Sequence, residues 1–178
     1  MDPAPAVWLT GPPASGKSTI ARALAAELER RGRRALVLES DALREALTPQ
    51  PRFDDAEREF FYGAMAGIGR LIVGQGIPVI FAATAHRRAW REEARRRIPG
   101  LLEVWVDCPE SLRRARDPKG LYAAAAAGSI RSLPGLQVPY EPPSEPALVV
   151  RSDREGPEEA ARRIADRMGV EGNSAGSA

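Results

Sequence analysis

The sequence predicts an α/β fold: a five-stranded parallel sheet with helices on both faces and a lid. Three observations point to it. Short apolar runs alternate with segments of helical period, a glycine-rich loop joins the first run to the first helix, and one long late segment has no clear period.

Residues 6–10 form a buried apolar strand that ends at the loop. Residues 18–31 carry Ile20, Ala21, Leu24, Ala25 and Leu28 at helical spacing, and Gly32 stops that helix. A second apolar run at 35–39 leads into a helix that Ser40 or Asp41 is expected to cap. Pro49-Gln50-Pro51 breaks the chain. From 54 to 74, Phe60, Phe61, Met65, Ile68, Leu71 and Ile72 mark a long helix. Residues 77–82 are the third strand, 87–97 an arginine-rich helix, 101–106 the fourth strand and 111–116 a short helix. Residues 117–146, rich in glycine, proline and alanine, are expected to form a lid, because irregular segments this long inside a compact domain are usually functional. A fifth strand at 147–150 and a last helix at 158–168 complete one domain, 1–170, followed by a disordered tail at 171–178. In such a sheet the ligand lies beyond the carboxyl ends of the strands.

The 178 residues suffice for one full core. The net charge of +2 comes from acidic residues interspersed with arginines, which suits small anionic substrates and makes no nucleic-acid-binding face. A single cysteine, Cys108, has no partner for an internal disulfide. No apolar run approaches the roughly 20 residues of a membrane span, and the first residues lack the pattern of a secretion signal. The expectation is a soluble cytoplasmic protein without nucleic-acid or membrane partners.

Only two lysines stand among 24 arginines, Lys17 and Lys119. An ammonium is a compact charge on a flexible stem and a guanidinium is a planar fork, so surviving lysines suggest positions where the two are not interchangeable. Lys17 lies in Gly11-Pro12-Pro13-Ala14-Ser15-Gly16-Lys17-Ser18, which fits G-x-x-x-x-G-K-[ST] between a predicted strand and a predicted helix. This is the phosphate-binding P-loop, or Walker A loop, of nucleotide-dependent phosphotransferases. Its backbone amides, together with the roughly half-charge at the helix start, attract phosphate. Lys17 is expected to reach the outer phosphates of ATP, and Ser18 to ligate magnesium. The fold expected from this loop is that of a P-loop NTPase of nucleoside-monophosphate-kinase-like type.

Asp41 ends the second strand on the edge of the sheet that carries the loop. A carboxylate there can orient metal-bound water or take a proton from an attacking hydroxyl, and it can equally cap a helix. Arg44, on the same helix face, is either its ion-pair partner or a clamp on an anionic acceptor, and Arg58, one turn after Asp54, has the same two readings. Asp107, at the end of strand four, is the other candidate for a metal-binding carboxylate or simply closes its strand.

These residues resemble the adenylylsulfate kinase family from Gly11 to about Val150. The resemblance rests on the loop ending at Thr19, on Asp41-x-x-Arg44, and on Phe53 five residues before Arg58. It rests most specifically on Arg116-Asp117-Pro118-Lys119-Gly120-Leu121-Tyr122 followed by Pro139-Tyr140-Glu141-x-Pro143. It implies an ATP- and magnesium-dependent kinase, usually dimeric, that phosphorylates the 3′-hydroxyl of adenosine 5′-phosphosulfate. By the resemblance, Gly11, Ala14, Ser15, Gly16, Lys17, Ser18, Thr19 and Arg116 hold ATP. Asp41, Arg44, Phe53, Arg58, Lys119 and Leu133 face the acceptor, and Lys17 and Asp41 are catalytic.

Departures from the family gather on the acceptor side. Glu39-Ser40-Asp41-Ala42-Leu43-Arg44 replaces Asp-Gly-Asp-Asn-x-Arg, and Phe61 replaces an asparagine expected to touch the acceptor. Thr84-Ala85 replaces Ser-Pro, and residues 123–127 are alanines where basic residues are usual. Leu133 stands for one of two aromatic rings expected to sandwich the adenine, a weaker platform than a ring. An adenylylsulfate kinase with compensating contacts accommodates this pattern. So does a relative acting on another hydroxyl, such as a cytidine diphosphoramidate kinase or an enzyme of a specialised metabolite. A catalytically silent regulatory module is a third reading, against which Lys17, Ser18 and Asp41 argue.

Other residues read as structural. His86 reads as a surface residue of the loop after strand three, and Cys108 as packing at a strand end. Arg95-Arg96-Arg97 reads as a solvated helix face, and Trp8 and Trp105 as core. Trp90 is available for a subunit contact.

Overall fold

The structure is a computed structural model that describes residues 4–171. In chain order the elements are β1 (Ala6–Thr10), α1 (Lys17–Arg30), β2 (Leu36–Glu39), α2 (Ser40–Leu47), α3 (Asp55–Val73), β3 (Val79–Ala82), α4 (Arg88–Arg97), β4 (Leu102–Asp107), α5 (Glu110–Arg116), α6 (Leu121–Ala126), β5 (Leu148–Arg151) and α7 (Pro157–Arg167). All the strand pairs are parallel, in the order β2-β3-β1-β4-β5. The expected α/β architecture is therefore present. Of the expected tail at 171–178, residues 172–178 lie outside the described residues.

Strand alternation builds two cores. Side chains of successive strand residues point to opposite faces. Val7 and Leu9 of β1 thus join Ile20, Leu24 and Leu28 of α1 and Ile164 of α7, while Ala6 and Trp8 join Phe61 and Met65 of α3 and Ile98 after α4. Trp8 pairs with Phe81 in register, and their rings stack at 4.9 Å. Gly69 lets α3 approach this stack, since a Cβ there would lie 2.0 Å from Phe81 Cζ.

Helix ends follow their local chemistry. Asp54 caps α3 by accepting the Glu57 amide at 2.8 Å, and Pro157 opens α7 at a position where its missing amide costs nothing. The expected side-chain cap on α2 is absent. Strand β2 runs straight into the helix with Glu39 at the cap position and no side-chain bond, which leaves the Asp41 carboxylate free to point elsewhere.

The lid is more ordered than its composition suggested. It contains α6 and a small core of Tyr122, Ala125 and Leu133. Asp117 stabilises the start of α6 by accepting the amides of Tyr122 and Ala123 at 3.1 and 3.0 Å. An alanine run gives no apolar–polar contrast for a period to register, although alanine is the strongest helix former.

Candidate active site

The loop after β1 is shaped by glycine. At Gly11 a Cβ would meet the Val106 carbonyl oxygen at 2.5 Å, and Gly16 caps α1 at φ 103, where other side chains are strained. Ala14 also has positive φ, at 62. No side chain caps α1, so the first amides of the helix remain available to an anion. The Ser15 hydroxyl is buried without a hydrogen-bond partner, and a phosphate oxygen would satisfy it.

Lys17 folds over this loop, donating from Nζ to the carbonyls of Gly11 at 2.8 Å and Pro12 at 2.9 Å. Removal of its ammonium from water pushes its pKa down to about 7, against the opposing pull of the Asp41 carboxylate, while Lys119 and Arg113 push it further down. The charges of α2 and of the lid segment therefore act on the lysine of the loop. Asp41, in the first turn of α2, is paired with Lys119 at the start of the lid. The lid also reaches the loop through Tyr122, which accepts from Arg113 Nη1 at 2.5 Å and donates to the Pro13 carbonyl at 3.2 Å.

A second cluster stands beside it on α2, α3 and the connection between them. Arg44 forms an ion pair with Glu57 at 2.9 Å rather than with Asp41, and its guanidinium lies 3.9 Å over the Phe61 ring and 5.1 Å from the Phe53 ring. Phe53 is 42% exposed and sits at φ 58, a backbone conformation costly for a bulky side chain. Arg58 is buried. It donates from Nη2 to the Ser132 carbonyl at 2.8 Å, and its Nη1 lies 3.5 Å from His86 Nε2. Ala85, beside His86, is the third non-glycine residue with positive φ. Among the described residues, strained backbone is thus concentrated at the loop and at this second cluster.

The readings of His86 and Trp105 need correction. His86 is not at the surface: it is 4% exposed, packs edge-on against Trp90, and its Nδ1 has no partner. Burial and the nearby Arg58 and Arg87 charges push its pKa down to about 4. Trp90 is half-buried and packs against Tyr62 and His86. Trp105 is only half-buried and lines a cavity of about 500 Å³ between Pro12, the end of β4 and lid residues 135–140. Leu133 is 4% exposed inside the lid's own small core, so it offers little surface to a base. Asp107 pairs with Arg151 at 3.6 Å, and Arg116 donates to the Ser152 carbonyl at 2.9 Å. Sequence reasoning missed Glu57 and Ser132 entirely. For Glu57 the available signal was its place three residues after Asp54, the spacing of a capping box.

Among the described residues no three His, Cys, Asp or Glu side chains cluster to hold a metal. Magnesium at a phosphate site is held mainly through phosphate oxygens and one or two protein oxygens. Ser18 in the first turn of α1 and Asp41 in the first turn of α2 carry oxygens of the kind that could serve this role.

The adenylylsulphate kinase family model matches residues 4–151. A probable adenylyl-sulfate kinase of Archaeoglobus fulgidus is 40% identical over 148 residues, covering 83% of this chain and 96% of the relative. The adenylyl-sulfate kinase of Deinococcus deserti is 37% identical over 164 residues, covering 92% and 91%. Among solved structures, the Mycobacterium tuberculosis APS kinase CysC in complex with AMPPNP and APS superposes with a TM-score of 0.89 at 32% identity, covering 95% of this chain and 99% of that one.

Proposed function

Because this chain belongs to the adenylylsulphate kinase family, we propose that it transfers the terminal phosphoryl group of ATP to the 3′-hydroxyl of adenosine 5′-phosphosulfate. One observation carries the reading. Lys17 of the phosphate loop lies within the influence of the Asp41 charge, Asp41 of α2 pairs with Lys119 of the lid segment, and Arg44, three residues after Asp41, sets its guanidinium against the Phe53 and Phe61 rings. The alternative acceptors and the silent module are not favoured, since the relatives are adenylyl-sulfate kinases and the loop keeps its lysine and serine.

The residues divide the work by position. Gly11 to Thr19 hold the triphosphate with backbone amides, and Lys17 exchanges its two carbonyl partners for phosphate oxygens. Arg44 and Arg58 hold the acceptor's anionic end, and Phe53 offers the exposed ring on which its base stacks. Asp41 accepts or orients the proton of the attacking hydroxyl, for which it must part from Lys119. Lys119 is then free to neutralise charge that develops during transfer. Magnesium, when bound through Ser18 and Asp41, supplies further charge neutralisation at the phosphates. A homodimer, as in much of the family, is part of this reading, and so is a cytoplasmic location.

The test is product formation. Incubated with magnesium-ATP and adenosine 5′-phosphosulfate, the protein should yield the 3′-phosphorylated nucleotide by mass spectrometry, and Lys17→Ala should lose that product. Phosphorylation of a different nucleotide in preference, or none with any acceptor despite ATP binding, would reject the reading.

A further inference from the structure

Glu57 occupies the third position after the α3 cap residue, Asp54. A glutamate there ordinarily folds back to the cap residue's own amide, the second half of a capping box. Only the first half is made here, Asp54 Oδ1 accepting the Glu57 amide at 2.8 Å. The Glu57 carboxylate goes elsewhere. Oε1 accepts from Arg44 Nη1 at 2.9 Å, and Oε2 accepts the backbone amide of Arg52.

Those two partners lead to the two sides of the acceptor wall. Arg52 is the residue before Phe53, whose positive φ of 58 needs support from its surroundings. Arg44 presents its guanidinium between the Phe53 and Phe61 rings. The Arg44 and Glu57 side chains are only 12% and 9% exposed, so their bond is charge-assisted and sheltered from the screening that weakens surface pairs. A guanidinium bonded at one edge and stacked on its face has lost most of its freedom before any ligand arrives.

We propose that Glu57 is a positioning residue of the acceptor site: a single carboxylate that fixes both the plane of Arg44 and the strained backbone presenting Phe53. The proposal rests on the reading of Arg44 and Phe53 as acceptor contacts. A glutamate that only caps α3 would touch neither, and its loss would cost stability without affecting one substrate more than the other.

Initial rates of the full chain, with each substrate varied in turn, separate the two roles. Glu57→Gln keeps the shape but cannot accept both bonds. Its KM for adenosine 5′-phosphosulfate should rise about tenfold or more. Its KM for ATP should stay within about twofold. Glu57→Asp, which keeps the charge, should recover part of the loss. Asp54→Ala removes the cap while leaving both Glu57 contacts, so it should lower the melting temperature and leave the acceptor KM unchanged. Equal rises in both KM values for Glu57→Gln, or an Asp54→Ala variant with the same acceptor defect, would overturn the proposal. A second readout needs no turnover: the side-chain Nε–Hε NMR signal of Arg44, assigned by its disappearance in Arg44→Lys, is shifted by the Phe61 ring and should move in Glu57→Gln. An unmoved signal overturns the positioning role whatever the acceptor. A wild-type protein that fails to phosphorylate adenosine 5′-phosphosulfate, yet shows the moved signal in Glu57→Gln, sinks only the functional reading and supports the positioning role.

Discussion

The Arg44 guanidinium carbon lies over the fully buried ring of Phe61, 3.9 Å from its centroid. The family's asparagine at this position would offer a hydrogen bond to the acceptor, whereas Phe61 supports the arginine proposed to offer one. A cation over an aromatic face contributes about 0.5–2 kcal/mol, more when water is excluded. Phe61→Leu keeps the site apolar but removes that face, so the acceptor KM should rise about 2- to 30-fold while the ATP KM holds. Rates with each substrate varied check this, and an unchanged acceptor KM would mean that the stacked arginine does not contact the acceptor.

The lowered pKa of Lys17 makes ATP binding depend on pH. Above about 7 the free loop holds a neutral amine, mainly because the ammonium is stripped of water there. A triphosphate stabilises the charged form, so binding raises the pKa and takes up a proton. Affinity should therefore fall as pH rises from about 7 toward the bound-state value, by up to about tenfold per pH unit. Calorimetry in two buffers of different ionisation enthalpy at about pH 8 should show this uptake directly. Binding with no proton exchange would contradict the burial of the free ammonium.

Asp41 and Lys119 form an ion pair whose side chains are 61% and 54% exposed. Exposed pairs contribute only about 0–1 kcal/mol, so fold stability is not a sufficient reason for this one. Asp41→Asn should leave the melting temperature nearly unchanged and lower kcat by about 10²- to 10⁴-fold, the usual contribution of a positioned base. Thermal unfolding beside steady-state rates tests both halves, and a large loss of stability with intact kcat would reassign Asp41 to the lid latch.

Much of the fold was legible because burial writes a period into the sequence. Val7 and Leu9 alternate with Trp8, and Ile20, Leu24 and Leu28 recur at helical spacing. The phosphate loop was legible because Gly11 and Gly16 are demanded by local backbone geometry. What stayed hidden depends on contacts between distant segments. Residues 123–126 became helix without a polar face to announce it, and His86 was buried in part by Arg58, 28 residues away, as well as by Trp90. Arg91, 1% exposed, binds Glu103 at 2.5 Å as well as the carbonyls of Ala85 and Glu141, yet in the sequence it is one arginine among 24. Glu57 carries in the sequence only the spacing of a capping box, which says nothing of the bond its carboxylate makes to Arg44.

His86 is the chain's one histidine, so its titration can be followed without overlap. Burial, then the charges of Arg58 and Arg87, lower its pKa from 6.5 to about 4, with Asp55 and Glu141 opposing. Between those values the unfolded chain binds a proton that the folded protein refuses, so stability should fall as pH drops through this window, with the slope of one proton. His86→Gln removes the titrating group and should flatten that part of the profile, as read from urea midpoints at about pH 7 and about pH 5. The ring protons of His86 should show a midpoint well below 6.5 by NMR. A protonated imidazole beside Arg58 would also repel the guanidinium from its place against Ser132, so the acceptor KM should rise on the acid side before the fold is lost. A midpoint near the ordinary value would place the ring in water and remove this link between acidity and acceptor binding.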